Sequence, residues 1–178
     1  MIDLSAIAVT DPDGVEQRLG DIVDRPTIID LVRYFGCAPC RQQLGKLTDV
    51  HDTITASGAA VLGIGPRAAY QARLLTERHI PFGLYLDPDH GVARAIGLGR
   101  QSLLRFVFDL RAWWRWLKGF VRAGQGAITG AYWEVPAIVI VDAQCRVQWK
   151  YLGDSIGDYP PLAETMDQLE RVLASNPD

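Results

Sequence analysis

Two cysteines separated by two residues, Cys37-Ala38-Pro39-Cys40, are the most chemically pointed feature of the chain. The nucleophile of sulfur chemistry is the thiolate, and it forms more readily where free N–H groups and the positive end of a helix dipole face the sulfur. Cys37 falls just before a predicted helix and Cys40 in its first turn, so the two sulfurs meet across that turn. One can then attack a substrate and the other resolve the intermediate. Pro39 suits an early helical position, because the N–H it lacks would go unbonded there anyway. Thiolates in such settings reach pKa values of about 3.5–7.5. Two other readings compete with redox chemistry. Half of a zinc site would need two further ligands, and Cys145, His51, His79 and His90 are not paired at ligand spacing. No metal and no cofactor are therefore expected. Inert packing of both thiols is the other alternative.

Charged residues bracket the pair. Arg33 closes an otherwise apolar strand, where a charge is costly unless it finds a partner. A thiolate or a peroxide oxygen is one candidate partner, Asp30 on the same strand another, and solvent a third. Arg41 lies on the other side of the motif. Asp30 is a candidate buried acid/base for the second thiol, with ion pairing or solvation as the plainer role.

The elements that must hold these residues alternate. Apolar or β-branched runs at Ile7–Thr10, Thr27–Phe35, Ala59–Gly65 and Phe82–Leu86 read as strands. Helical periodicity follows the cysteines through Leu44, Leu47, Val50 and Ile54 to about Gly58, and recurs over 67–79 and 92–96. Ala137–Val141 and Val147–Leu152 form a hairpin across Asp142–Cys145, and the stretch from Pro160 to Leu173 is a closing helix. This order predicts an α/β fold: a mixed central sheet with helices on both faces. A Cys-x-x-Cys between strand and helix in that pattern reads as thioredoxin-like.

The chain has 178 residues, 48% apolar and 22% charged, with a net charge of -3. That is one domain's length, enough to bury a core without disulfide or metal staples. Disorder is excluded as the main state, and a pI of 5.6 argues against nucleic acid as a partner. No apolar stretch reaches the ~18 residues of a membrane span. An acid at position 3 and no apolar run behind it do not resemble a signal peptide. Three cysteines are too few for a disulfide framework. The expected setting is the cytoplasm.

One segment breaks the α/β rhythm. Between Arg100 and Arg122 lie six bases, one acid (Asp109) and three tryptophans, Trp113, Trp114 and Trp116. Leu103, Val107, Leu110, Trp114, Leu117 and Val121 recur at helical spacing, which predicts an inserted amphipathic basic-aromatic helix within residues 100–123. The expectation is that this stripe docks on its own domain. Binding to a membrane surface, or to an acidic partner or second subunit in a homodimer, is the alternative.

The stretch Arg33-Tyr34-Phe35-Gly36-Cys37-Ala38-Pro39-Cys40-Arg41 resembles the redoxin branch of the thioredoxin superfamily. More narrowly, it looks like the peroxiredoxin-like alkyl hydroperoxide reductase/thiol-specific antioxidant proteins. Supporting segments occur in the family's order: Gly63-Ile64-Gly65, Tyr85-Leu86-Asp87-Pro88-Asp89, Ala95-Ile96-Gly97-Leu98, Gly153-Asp154 and Asp158-Tyr159-Pro160-Pro161. The resemblance implies an antioxidant oxidoreductase, a thiol peroxidase or thiol-disulfide reductase. It would act on a peroxide or disulfide and draw electrons from a thioredoxin or glutaredoxin-type reductant. It also implies that Pro136, just before the strand at 137–141, is a cis proline facing the Cys pair; a trans proline opening a strand is the alternative. Typical peroxiredoxins carry Thr three residues before the peroxide-reacting Cys. Cys37 takes that place if Cys40 is the reactive one, whereas the thioredoxin alignment makes Cys37 the attacker. Cys37 is favoured here on the expectation that the residue ahead of the helix is the more exposed. Cys145 is expected to be remote and dispensable. A function of another class is a redox-sensing module whose Arg/Trp helix engages a partner.

Overall fold

A computed structural model describes residues 1–78, 80–102, 108–130 and 133–175. Its strands are β1 (Ala8–Thr10), β2 (Glu16–Arg18), β3 (Thr27–Leu31), β4 (Ala60–Gly65), β5 (Gly83–Leu86), β6 (Ala137–Val141) and β7 (Val147–Leu152). Its helices are α1 (Leu19–Ile22), α2 (Ala38–Asp49), α3 (His51–Ala56), α4 (Ala69–Glu77), α5 (Gly91–Ile96), α6 (Leu110–Ala123) and α7 (Leu162–Ser175). The strands form one mixed sheet in the order β2-β1-β5-β4-β3-β6-β7. β3, β4 and β5 run parallel, and β6 lies antiparallel to β3.

β3 and β6 are buried along their whole length, which is why they read as continuous apolar runs and not as alternating ones. Each face of the sheet has its own core. On one, Ile28, Val32, Phe35 and Ile138 pack with Leu44 of α2, Ile54 of α3, Leu75 of α4 and Leu169 of α7. On the other, Ile29, Leu31, Ile64 and Val139 pack with Leu19 of α1 and Val92 and Ile96 of α5. The thioredoxin-like α/β expectation holds.

The differences are local. β3 stops at Leu31, four residues before the end of its apolar run. Val32 then bonds to the Ile64 carbonyl, and the chain turns so that Cys37 N–H meets the Tyr34 carbonyl. The helix after the cysteines breaks at Val50, so α2 and α3 are separate. β2 and α1 are too short and too polar for a periodic signal. Gly65 accommodates Phe35: a Cβ there would lie 2.7 Å from the ring.

The inserted helix departs most from expectation. It runs Leu110–Ala123, capped by Asp109, whose carboxylate accepts the Ala112 N–H; Leu103 and Val107 lie outside the described residues. It docks on α2, but not by the predicted stripe. Leu110 is 83% exposed, Trp114 58% and Val121 77%, while Ala112 and Gly119 are buried. Close approach explains the inversion. A Cβ on Gly119 would stand 2.7 Å from the Pro39 nitrogen, so only a face of small residues seats this helix.

Candidate active site

The β3–α2 turn delivers Cys37 to the cap position of α2 and Cys40 to its first turn, with Pro39 at the helix start. Both thiols are free, and both are wholly buried at 0% exposure, so the expectation that Cys37 is the more exposed is corrected. They belong to the core on this face of the sheet, and the insert covers the turn that carries them. α6 passes over Ala38 and Pro39, and the segment after it is pinned by Gln125. The Gln125 side-chain oxygen accepts from the Ala38 N–H at 3.1 Å and from the Trp116 indole N–H at 3.2 Å. Its amide nitrogen donates to the Gly36 carbonyl at 2.9 Å.

The two sulfurs differ in electrostatics. Burial pushes the Cys37 thiol up, but three donors outweigh it: the Cys40 thiol, the Arg33 guanidinium and the Cys40 backbone N–H bring it down to about 7. Arg33 Nη1 donates to the Cys37 sulfur at 3.6 Å. Cys40 is driven the other way. Burial comes first, and donation to Cys37 and the Cys37 charge add to it, so its thiol lies well above the ordinary range. The arrangement favours one thiolate at Cys37 beside one protonated thiol at Cys40.

Arg33 is itself buried, and its Nε donates to the Glu134 carbonyl. Its guanidinium also lies 5.6 Å from the centre of the Tyr34 ring. Of its three candidate partners the thiolate is realised. Arg33 also lines a cavity of ≈ 100 Å³ with Ile64, His90, Arg94 and Leu98, on the α5 side of the sheet. The cysteines do not line it, so Arg33 stands between that cavity and the sulfur.

Asp30 occupies the centre of β3, opposite Gly63 and Ile138, on the α2 side. It is fully buried, and burial together with the Cys40 charge holds its carboxyl well above the usual range. Tyr159 completes this end of the site. Its hydroxyl is near enough to Asp30 and Cys40 to favour their charged forms. Neither it nor either Asp30 oxygen has a hydrogen-bond partner of full geometry among the described residues.

Other predicted residues go elsewhere. Arg41 donates to the Gly124 carbonyl at 3.2 Å and so ties α2 to the insert. The Val135–Pro136 bond is trans, correcting the cis expectation. Pro136 opens β6 in the ordinary way, its carbonyl accepting the Gly153 N–H at 2.9 Å. Cys145 sits in the β6–β7 turn, in the core of the opposite face. Gln125, Tyr159, Glu134 and Gly119 were not anticipated as site residues. Tyr159 alone carried a signal, as part of the Asp158-Tyr159-Pro160-Pro161 segment.

The profile of the AhpC/TSA family matches residues 3–150. The chain belongs to the AhpC/TSA family. Among curated proteins it is 34% identical over 95 residues to the "Thioredoxin-like protein AAED1, chloroplastic" of Arabidopsis thaliana; the match covers 52% of this chain and 38% of that protein. It is 26% identical over 151 residues to the "Prostamide/prostaglandin F synthase" of Salmo salar, covering 83% of this chain and 76% of that one. The crystal structure of peroxidoxin BcpB from Mycobacterium tuberculosis superposes with a TM-score of 0.64 at 15% identity, over 100% of this chain and 99% of the other. That likeness shows a shared fold. As a family member the protein is a peroxiredoxin-like or thioredoxin-like oxidoreductase with thiol-dependent redox activity.

Proposed function

We propose that Cys37 and Cys40 are the working pair, with Cys37 the attacking thiolate and Cys40 the resolving thiol. The observation that carries this is the opposed pull on two sulfurs in one turn: Cys37 is brought down to about 7 while Cys40 is held up. With a peroxide, the Cys37 thiolate attacks one oxygen of the O–O bond. The bond breaks, the sulfur becomes a sulfenic acid, and the other oxygen leaves as water or an alcohol after taking a proton. Cys40 then attacks the sulfenic sulfur and expels water, giving the Cys37–Cys40 disulfide. With a disulfide substrate, Cys37 forms a mixed disulfide and Cys40 displaces the second thiol. In both cases a dithiol of the thioredoxin or glutaredoxin kind returns two electrons.

Asp30 has the position to receive the Cys40 proton when Cys40 attacks. Burial and the Cys40 charge raise its pKa, so in its ionised form Asp30 is a stronger base than an exposed carboxylate and takes the proton from that form. Arg33 stabilises the Cys37 thiolate and has no proton to lose at working pH. The cytoplasm, where reductants keep thiols reduced, is the proposed setting, since three cysteines are too few for a disulfide framework.

Stopped-flow tryptophan fluorescence of the reduced protein with hydrogen peroxide, an organic hydroperoxide and a small disulfide tests the reading, because Trp116 shares Gln125 with the Ala38 N–H. The expected result is a fast signal with at least one of the three, loss of two thiols per chain and many turnovers with thioredoxin and its reductase. A single turnover without recycling would instead make the pair a redox sensor.

A further inference from the structure

α6 carries three distinct faces. Ala112 and Gly119 meet the domain. Turned away from them, Leu110, Trp114, Leu117, Phe120 and Val121 form an exposed apolar face, which Phe108 extends. Along one flank run Arg111, Lys118 and Arg122, all exposed. The thiol chemistry uses none of these side chains. A helix whose large apolar residues point outward while small ones seat it is laid out to receive something from above. An exposed apolar patch of this size on a folded domain marks an interaction site.

The charge pattern selects the occupant. The Arg122 charge lies close enough to Lys46 to lower its pKa, and Arg78 does the same to Arg41, burial being the larger cause for both. At the N-terminal end of α6, Arg111 and Arg115 share a cavity with Asp109, Asp154 and Asp158; the positive charge without such acids is at Lys118 and Arg122, with Lys46 close by, and there an anionic counterpart would relieve it. In an antiparallel two-fold contact through this face, a second copy of the chain would set Lys118 and Arg122 beside the same bases of its partner, which is unfavourable. Trp, Leu and Val on one face with Arg and Lys on the flank is the composition of a helix lying in a lipid headgroup layer. There the apolar side chains sink ~5–10 Å and the bases meet phosphates. The Lys118 ammonium, 5.2 Å from the centre of the Trp114 ring, already couples one member of each set.

We propose that the apolar face of α6 docks the protein on an anionic bilayer surface, through Leu110, Trp114, Leu117 and Val121 in the interface and Lys118 and Arg122 on lipid phosphates. The Cys37 turn lies directly beneath the helix, so docking carries the thiol pair to within about one helix diameter, ~10 Å, of the lipid. The proposal stands apart from the redox roles of the sulfurs, and its test reads binding alone.

The test is cosedimentation of the full chain with phosphatidylcholine vesicles, with and without one quarter phosphatidylglycerol, together with tryptophan emission. The expected result is binding and a blue shift only with the anionic vesicles, weakening as salt rises. Leu117→Glu and Val121→Glu, both at exposed positions, should abolish binding while circular dichroism and melting stay unchanged. Lys118→Gln and Arg122→Gln should each weaken it roughly fivefold. No binding, or equal binding to both kinds of vesicle, overturns the proposal. So does a concentration-dependent dimer in sedimentation that Val121→Glu dissolves, since the face would then belong to a second copy.

Discussion

Cys37 and Cys145 are the same residue at the same 0% exposure, one in each core of the sheet. Burial penalises the thiolate in both places. At Cys145 nothing opposes it. Burial, with the Asp3 and Asp142 charges behind it, drives that thiol up to about 11. At Cys37 an even heavier burial penalty meets two donors from Cys40 and the Arg33 guanidinium, and the thiol falls to about 7. Burial with no donor to oppose it, reinforced here by two carboxylates, leaves a cysteine inert, and reactivity comes from donors aimed at the sulfur. The fold has one place that aims them, the turn where β3 becomes α2.

The comparison breaks most visibly by removing each sulfur. Cys37→Ser should lower steady-state turnover by about 10³-fold or more, as loss of a nucleophile does. Cys145→Ser should leave turnover within about twofold, because Cys145 lies in the other core. Comparable losses in the two variants would end the distinction.

Arg33→Met tests what aims the difference. In the native protein, alkylation of Cys37 should rise with pH and level off above about 7, as the thiolate fills. Without the guanidinium the midpoint should move upward by about one unit or more, and the rate at neutral pH should drop roughly tenfold. An unmoved midpoint would mean that Cys40 supplies the whole effect.

Asp30→Asn separates function from stability. The folded protein keeps a proton on Asp30 that the unfolded chain sheds above its ordinary value of 3.8. Rising pH therefore favours the unfolded chain over that window, until Asp30 ionises in the folded state too. The variant should flatten this slope and melt higher at neutral pH, while disulfide formation after the first attack slows. A variant that melts lower, with the slope intact, would place the proton elsewhere. The smallest effect belongs to Asp3→Asn, which should lower the Cys145 value by less than about one unit; titration by mass-mapped alkylation reads it.

Much of this was legible in the chain. Thr27–Leu31 and Ala137–Val141 were recognisable because strands buried on both faces must be apolar throughout. The Cys37–Cys40 turn was recognisable because two-residue spacing before a periodic helix has few other uses. The donors were legible only in part. Arg33 stood out as a charge in an apolar strand, whereas Gln125 reaches Ala38 across 87 positions of sequence and no spacing announces it. The orientation of α6 was misread for a physical reason. Periodicity locates the large apolar side chains and assumes that they face inward, but backbone approach to Pro39 selected Gly119 instead. The trans Val135–Pro136 bond shows the limit of resemblance, since a family pattern carries no dihedral angle of its own.

β3 lies inside the sheet, with β4 on one side and β6 on the other. Amide exchange in such a strand ordinarily requires the whole molecule to open, whereas a surface helix seated by small residues exchanges through cheaper, partial opening. The backbone amides of Ile28–Leu31 should therefore be among the slowest to take up deuterium and those of 110–123 among the faster. On that expectation, the two elements that enclose the sulfurs open separately. Thiol labelling in dilute denaturant should accelerate well before the sheet melts, with the spacing between Cys37 and Cys40 preserved throughout.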